Sequence, residues 1–565
     1  MTQKRWTLVL VLTSIALAII MQVPQFLHMR HPLFEGRLIE LNDDEAAYMA
    51  RVEEALTGRP EQVEEAFIGD GTVGMHFAFI EQMYGYLFSW TGLHAPAFLQ
   101  IEDSVIPVLL FLALYLFFRL CGFSRAKSYG GCLVFLLVSL YYLDRPINQR
   151  TTSLFMMMAL LSVILALERH VLFAIVAGIL LAILLDVYFW SWTYAYAFCA
   201  LLLLCEIIFW YRSTNAEKKM YHARRVRILL MTAAITLIAA IPMFIKIGKM
   251  LQHPMIDAGN LRAEFVYSRL PVSWVYSILF FGMTVGALLW MRRNTKLREK
   301  PYAVLMILTG FLVMHQQVVL GVEFRTVAGY QFSHIYAAIT ALLLSMDFLP
   351  KQIPSPAIMR KWKGWLQIMS LIPLLCATVF LLGKLVDNHR VVRQWVVLDG
   401  RFTDQHMMTS LPYLRSLPRS RIAAPVGPAY FVASYTNHDI VYSYYLKNVL
   451  ISNEELAERW CMANLGFPPF YKNISPVQTL LYNDTRGIKT RAEDHAEQEQ
   501  MVREACEKIE KDPASYMEKY DVDYVFWDEK LQPTMKVEQY GKGLAKVSSG
   551  EGWSLWKIPR LVTSP

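Results

Sequence analysis

Charged residues are scarce in this chain: they make up 18% of its 565 residues, against about 25% in ordinary soluble proteins. The sequence also lacks internal repeats and low-complexity tracts. Hydrophobic residues, by contrast, account for 55% of the chain and gather in long runs. This composition excludes an ordinary soluble protein and predicts a polytopic membrane protein. The net charge of +8 is not a nucleic-acid signal, because the positive residues are concentrated in short loops between the hydrophobic runs.

Eleven hydrophobic segments are candidate membrane spans, since a spanning helix needs about 20 mainly apolar residues. They cover residues 7–24, 104–121, 128–143, 151–168, 170–187, 189–210, 227–247, 273–291, 301–320, 331–349 and 364–385. The first segment is not predicted to be a cleaved signal peptide, because it is long, has no small-residue cleavage site before Gln25, and is followed by further spans. The predicted fold is therefore a polytopic α-helical membrane protein with about eleven transmembrane helices.

Lysine and arginine residues set the predicted orientation, because cytoplasmic loops are enriched in them. They cluster in alternate connections, for example at residues 218–227, 292–300 and 351–363. With these connections and the amino terminus in the cytoplasm, eleven spans place the carboxyl terminus outside. We therefore predict a multi-pass protein of a cell inner membrane, with a cytoplasmic amino terminus and a periplasmic carboxy-terminal domain.

The chain is predicted to divide into two domains. Residues 1–385 form the transmembrane domain, and its first outer loop, 25–103, is unusually long. Residues 386–565 change sharply in composition and form an extracytoplasmic domain. This second domain carries no catalytic signature, and a role in stabilising the protein or positioning an acceptor is the simplest interpretation.

The extracytoplasmic domain is predicted to be a small α/β domain. Four short apolar segments have the pattern of strands, beginning at Arg421, Asp439, Val522 and Trp553. Residues 453–462 and 493–520 have the pattern of helices. The domain also contains Cys461 and Cys506, which leaves open a disulfide that the sequence alone does not determine.

An acidic cluster, Asn42-Asp43-Asp44-Glu45, lies in the first outer loop. It opens a stretch that predicts a helix, because Asn42 can cap it and Glu45 can reach back to the cap. Gly58 would end this helix. The helix dipole favours ionised carboxylates in the first turn, so we expect Asp43 and Asp44 to be negative at neutral pH.

Two further residues follow the acidic cluster at helical spacing. Tyr48 and Arg51 come four and seven residues after Asp44, which places all three on one helical face. A purely stabilising role is the alternative for the acidic residues, since such residues are common at helix amino termini. Later in the same loop, residues 77–90 are apolar and aromatic but short for a span, which predicts an interfacial helix in the headgroup region.

This organisation resembles the GT-C membrane glycosyltransferases, which include the oligosaccharyltransferase catalytic subunit, protein O-mannosyltransferases and aminoarabinose transferases. The shared features are one span leading to a long outer loop that opens with an acidic motif of the Asp-Glu-x-x-Tyr kind and carries interfacial helices. The aromatic segment from Tyr188 to Tyr194 resembles an outer turn of the oligosaccharyltransferase branch. The resemblance covers about residues 1–350 in architecture.

The resemblance implies transfer of a sugar from a polyprenyl-phosphate or polyprenyl-diphosphate donor to a lipid, glycan or protein acceptor, with inversion of the anomeric carbon, at the outer face of the membrane. Such a transfer needs a carboxylate that deprotonates or orients the acceptor. It also needs positive charge or a metal ion at the departing phosphate. Membrane lipids are the other implied partners.

The implied site residues follow from these requirements. Asp44 is the first choice for the base, then Asp43 and Glu45. Arg325 is the first choice for the donor phosphate, because a guanidinium binds phosphate through paired hydrogen bonds, with Arg145 and Arg150 as alternatives. A divalent cation, Mg²⁺ or Mn²⁺, would be held by Asp44 and Asp144. The candidate substrate-binding residues are Tyr48, Arg51, Trp190, Trp192 and Gln317.

One feature of the oligosaccharyltransferase branch is absent: the sequence has no Trp-Trp-Asp-Tyr-Gly motif, which reads the acceptor sequon in that branch. The resemblance therefore does not extend to an N-glycosylation acceptor. Two alternatives to a transferase are also kept. A transporter or lipid flippase would carry ionisable residues deep inside its spans, broken helices and repeats, whereas this chain keeps most ionisable residues at the borders of its spans. A non-catalytic membrane subunit would tolerate replacement of Asp43 and Asp44.

Overall fold

The computed structural model describes residues 3–38, 45–59, 78–139, 146–262, 265–266, 269–270, 273–294, 297, 299–321, 323–324, 327–348, 371–396, 402, 404–467 and 492–559. The helices are α1 (Gln3–Met29), α2 (Glu45–Leu56), α3 (Phe79–Phe88), α4 (Ala95–Leu120), α5 (Arg125–Ser139), α6 (Thr152–Glu168), α7 (Phe173–Leu184), α8 (Phe189–Arg212), α9 (Ala216–Ala239), α10 (Ile241–Leu251), α11 (Ile256–Arg262), α12 (Trp274–Arg293), α13 (Tyr302–Met314), α14 (Gln316–Leu320), α15 (Val327–Phe348), α16 (Leu371–Val396), α17 (Leu411–Ser416), α18 (Val426–Tyr435), α19 (Asn453–Asn464), α20 (Ala492–Lys511) and α21 (Pro513–Lys519). The strands are β1 (Phe265–Val266), β2 (Glu323–Phe324), β3 (Arg421–Ala423), β4 (Asp439–Ile440), β5 (Tyr524–Asp528), β6 (Ala545–Gly550) and β7 (Trp553–Lys557).

The chain divides into two compact units. The helical unit comprises Met1–Met21, Asp103–Ile245 and Tyr267–Val396. The exterior unit comprises Gln22–Glu102, Lys246–Val266 and Val397–Pro565. The first outer loop, which the sequence analysis assigned to the transmembrane domain, thus belongs to the same unit as the carboxy-terminal segment. Its helix α2 packs against α18, which explains the difference from the predicted boundary.

Each of the eleven predicted spans contains a helix within the described residues. Five of these helices are long and apolar enough to cross a membrane: Gln3–Met29, Ala95–Leu120, Gln149–Glu168, Phe189–Arg212 and Trp274–Arg292. The pair α9 and α10, which meet at a bend of 53°, makes a sixth if it is one span. The chain is therefore a multi-pass membrane protein, while a count of eleven stays a prediction.

A buried cluster of charges joins four helices of the helical unit. Arg225 of α9 is 1% exposed and donates to Glu206 of α8 at 2.8 Å and to Glu168 of α6 at 2.9 Å. It also donates to the Tyr302 hydroxyl of α13 at 2.7 Å. A buried guanidinium of this kind is retained only where acceptors surround it, so the cluster determines how the ends of these helices meet.

The exterior unit is built on a five-stranded mixed sheet with the strand order β4-β3-β5-β7-β6. Strand β3 runs parallel to β4 and β5, and β7 runs antiparallel to β5 and β6. Buried side chains such as Ile422, Phe526 and Leu555 come from three neighbouring strands and form the centre of the core. The small α/β domain predicted from the sequence is therefore confirmed.

Helices α19 and α20 of this unit are joined by a disulfide between Cys461 and Cys506. The pairing that the sequence left open is thus present. The other five cysteines, all in the helical unit, are free: Cys121, Cys132, Cys199, Cys205 and Cys376. Cys121, Cys132 and Cys376 are buried, and Cys199 and Cys205 are half-buried.

Candidate active site

Helix α2 follows the acidic cluster of the first outer loop in the sequence and includes its last residue, Glu45. It begins at Glu45 and ends at Leu56, and Gly58 beyond it has φ +106°, a left-handed conformation that favours glycine. The body of the helix and its end are therefore as the sequence predicted. The predicted cap residue Asn42 and the two aspartates Asp43 and Asp44 lie outside the described residues.

Small residues on one face of α2 allow it to lie close to α18. Ala46 and Ala47 form a buried cluster with Tyr430, and Ala50 belongs to the main core of the exterior unit. The Ser434 hydroxyl of α18 donates a hydrogen bond to the Ala46 carbonyl at 3.1 Å. The amino-terminal turn of α2, where Glu45 is itself buried, is therefore built into the exterior unit.

Tyr48 and Arg51, two candidate substrate-binding residues, contact each other within this unit. The Arg51 guanidinium lies 4.8 Å from the centre of the Tyr48 ring and 3.5 Å from the Glu81 carboxylate of α3. Each of the three residues is 6% exposed or less. Tyr48 and Arg51 thus share a helical face as predicted, and Arg51 is engaged by α3, while Asp44 lies outside the described residues.

Glu53 ties α2 to the start of α4. Its carboxylate is fully buried, lies 2.6 Å from His94 Nδ1 and accepts a hydrogen bond of 2.6 Å from the Ala95 amide. A carboxylate at a helix amino terminus is favoured by the helix dipole and by the unpaired amides there. This contact fixes the two helices together at one end of the outer loop.

A four-membered ionic network ties the other side of α2 to the sheet. Glu54 accepts two hydrogen bonds from Arg419, of 2.7 and 3.0 Å, and pairs with Arg59 at 2.7 Å. Both arginines also bind Asp439 at the start of β4, at 2.6 and 2.8 Å. Burial raises the pKa values of both Glu54 and Asp439, while Arg419 opposes both shifts.

The sequence analysis missed these anchors. Glu54 and Arg419 are separated by 365 positions, and one sequence contains no signal that joins them. A similar case is Arg262, the last residue of α11, in the segment between α10 and α12. It is 1% exposed and donates to the carbonyls of Lys447, Val449 and Ile451 and to the side chain of Asn453.

Four more candidate residues lie in the helical unit. Arg150 lies in the last turn of a π-helical segment, Pro146–Thr151, is 1% exposed and forms an ion pair with Asp103. Trp190 is fully buried in the first turn of α8. Trp192 is half-buried, with its ring 6.0 Å from that of Tyr196.

Gln317, the fourth of these candidates, is buried in α14 and donates to the Leu270 carbonyl at 3.2 Å. The remaining candidates, Arg145, Arg325 and the proposed metal ligand Asp144, lie outside the described residues. The structure therefore brings Tyr48 and Arg51 together in the exterior unit, and it places Trp190 and Trp192 on one helix of the helical unit.

The metal expectation rests on residues that the structure does not describe. Within the described ranges, no group of three or more histidine, cysteine, aspartate or glutamate residues is arranged to hold a metal ion. Asp44 and Asp144 would offer carboxylate oxygens, which are the ligands that Mg²⁺ and Mn²⁺ prefer. Their chemistry suits such an ion, and the requirement for it stays a prediction.

Of the comparisons with known proteins, the one with solved structures finds a match. No family model and no curated protein matches the chain. Among solved structures, the chain is similar to the crystal structure of the Archaeoglobus fulgidus oligosaccharyltransferase, which was tethered through a disulfide bond to an acceptor peptide containing the NVT sequon. The two share 13% sequence identity with a TM-score of 0.43, and the match covers 94% of this chain and 70% of the other. A similarity of this size does not assign an activity.

Proposed function

We propose that this protein is a GT-C-type glycosyltransferase that moves a sugar from a polyprenyl-phosphate or polyprenyl-diphosphate donor to an acceptor on the extracytoplasmic face of the membrane. The observation that carries the proposal is the anchoring of α2. Its charged residues Arg51, Glu53 and Glu54 all bind neighbouring elements of the exterior unit. Asp43 and Asp44 directly precede this helix in the sequence, so we infer that it serves as their support.

A fixed support matters because a catalytic group must be held close to its productive position, within about 0.5 Å. The positive end of the α2 dipole favours the ionised form of a carboxylate placed there. Asp44, with Asp43 as the next choice, is therefore proposed to be the base. Glu45 ranks third, because its side chain is buried in the first turn.

The reaction that we propose is a single displacement. The acceptor loses a proton to the Asp44 carboxylate and attacks the anomeric carbon of the sugar. The bond from that carbon to the phosphate oxygen breaks, the polyprenyl phosphate or diphosphate departs, and the configuration at the carbon is inverted. Proton removal by a positioned carboxylate contributes to such a step by typically 10²- to 10⁴-fold.

Positive charge at the leaving phosphate is the second requirement. Arg150 is already paired with Asp103, so its use would require exchange of that partner. We therefore keep Arg325 as the first choice for this role and Arg145 as the second. A divalent cation held by Asp44 and Asp144 is part of the proposal, and it would supply further charge at the phosphate.

The experiment compares the glycans and glycolipids of cell envelopes by mass spectrometry. The strains lack the gene or carry the wild type, Asp44→Asn or Glu551→Gln at matched protein levels. Glu551 is an exposed carboxylate whose side chain is 87% accessible, and it serves as the control. We expect a sugar mass to disappear on deletion, to return with the wild type and Glu551→Gln, and to remain absent with Asp44→Asn.

Each other outcome contradicts a definite part of the proposal. Full restoration by Asp44→Asn would remove Asp44 as the base and make Asp43→Asn the next variant. If deletion changes no envelope glycan, the transferase proposal fails, and the transporter and non-catalytic alternatives gain. Activity of the purified protein that survives chelation of divalent cations would exclude the metal.

A further inference from the structure

A cavity of about 360 Å³ lies between helices of the helical unit. It is lined by α7, α8 and α9 and by the first turn of α10, with Leu181, Leu203 and Phe244 among its walls. Its size falls within the roughly 300–1,000 Å³ of sites that bind small molecules. We propose that it holds one acyl chain of a membrane phospholipid. This proposal is independent of the proposed transferase activity.

The walls of the cavity suit hydrocarbon and nothing more polar. Three side chains in the lining carry hydroxyl groups, and each hydroxyl donates to a backbone carbonyl. Tyr196 donates to Leu181 at 2.9 Å, Thr232 to Ile228 at 3.0 Å, and Thr236 to Thr232 at 2.9 Å. The cavity therefore presents no unsatisfied hydroxyl donor to a headgroup or to water, and apolar cavities of this kind stay dry.

The helices around the cavity cannot simply close on it. At Gly178, α7 lies so close to α9 that an added Cβ would be 2.6 Å from the Ile235 side chain. The Tyr196 hydrogen bond holds α8 to α7 on the other side. Because both contacts set the helix spacing, the space beyond them persists. An occupant is favourable there, since an empty apolar void forfeits dispersion contacts along its whole lining.

The open side of the cavity is continuous with the surface that faces lipid. Ala200 of α8 and Ala233 of α9 line the cavity and are exposed, and beside them Leu204, Leu237 and Ile238 are between 52% and 68% exposed. Exposed aliphatic residues on a membrane-spanning helix contact the bilayer. A chain of a neighbouring lipid therefore reaches the cavity without crossing polar surface.

The depth of the cavity matches the distal part of an acyl chain. Along α8 it extends from Tyr196 to Leu203, which at 1.5 Å per residue is roughly 10 to 21 Å from the start of the helix. Half of a bilayer hydrocarbon core is roughly 15 Å thick. The cavity thus lies around the end of a chain that enters from the leaflet near the α7–α8 turn.

The test uses the delipidated full-length protein in detergent micelles. The probe is phosphatidylethanolamine with a photoactivatable diazirine at the end of one acyl chain, and crosslinked peptides are located by mass spectrometry. We expect crosslinks within residues 196–203 and 229–237. An excess of unlabelled phosphatidylethanolamine should abolish them, because the site is saturable.

Variants then fill the cavity from two different helices. Ala200→Phe and Ala233→Phe place a ring in the space, and each should lose the crosslinks. Ala234→Phe is the matched control, because Ala234 is exposed on α9 but is not part of the lining, and it should keep them. The thermal unfolding of all three variants is compared, and one folded filling variant is enough for the test.

Three results would overturn the proposal. In the first, both filling variants keep the crosslinks at the wild-type level. In the second, the crosslinks are spread evenly over exposed helix faces and are not competed by unlabelled lipid. In the third, polyprenyl phosphate competes and phosphatidylethanolamine does not, which would assign the cavity to an isoprenoid chain.

Discussion

Replacement of Arg262 by alanine should release the α11 segment from the exterior unit. The Arg262 guanidinium donates four hydrogen bonds of 2.6 to 2.9 Å, three to backbone carbonyls and one to Asn453 Oδ1. Hydrogen bonds that involve a charged group contribute about 1.5–3 kcal/mol each, but they do not add. Since single substitutions rarely exceed about 4–5 kcal/mol, we expect a loss of about 3–4 kcal/mol in the free energy of local opening.

Hydrogen–deuterium exchange of the full-length protein in detergent measures this quantity. A loss of that size lowers amide protection around residues 256–262 and 446–453 by roughly 100- to 1,000-fold, at about 1.4 kcal/mol per factor of ten. Arg262→Lys is the control, because it keeps the charge but lacks the planar fork of donors, and it should fall between the wild type and alanine. A tenfold loss or less for alanine would refute the assignment of Arg262 as the anchor of this segment.

Three further predictions use the same exchange measurement. Glu53→Ala should destabilise the first turn of α4, at Ala95, by about 0.5–2 kcal/mol, because it removes the side chain that accepts from that amide; unchanged protection there would contradict the capping role. Burial lowers the pKa of His438 from its ordinary value of 6.5. Its neutral ring accepts from the Ser420 amide and donates to the Leu414 carbonyl. The amide protection near His438 should therefore be constant above pH 6.5 and fall below that pH. In the His438→Gln variant the protection should depend less on pH. Glu54→Ala should lower the amide protection of α2, because it leaves Arg419 with one carboxylate partner fewer. Unchanged protection of α2 would show that the ionic network is not needed to hold this helix.

Local sequence patterns predicted the helices and strands, but they predicted less well how these elements pack together. Helix α2 was expected because its cap residue, its acidic first turn and Gly58 lie within one short stretch. The break between α9 and α10 was missed within the predicted span 227–247, although Pro242 in the first turn of α10 was a local signal for a helix start. Strand β6 was missed because its sequence, Ala-Lys-Val-Ser-Ser-Gly, has little apolar character, as suits an exposed edge strand.

The contacts that hold α2 in place could not be predicted from one sequence. The spacing of Tyr48 and Arg51 showed that they share a helical face, but Glu81 as the partner of Arg51 depends on how α3 packs. Likewise, the sequence marked the acidic loop as part of the transmembrane domain, because it lies between two spans. Its inclusion in the exterior unit follows from the small residues of α2, whose complementary surface on α18 lies almost 400 positions away.

The charged residues of α2 bear on its role. Those from Arg51 onward are engaged with α3, α4 and the segments beside the sheet, as a helix that serves only as packing would also require. A stabilising role accounts for acidic residues at a helix amino terminus as well, because the helix dipole favours carboxylates there. A catalytic base, unlike a stabilising residue, must be able to take up a proton, which an amide side chain cannot do. The comparison of Asp44→Asn with the wild type therefore separates a catalytic role of Asp44 from a stabilising one.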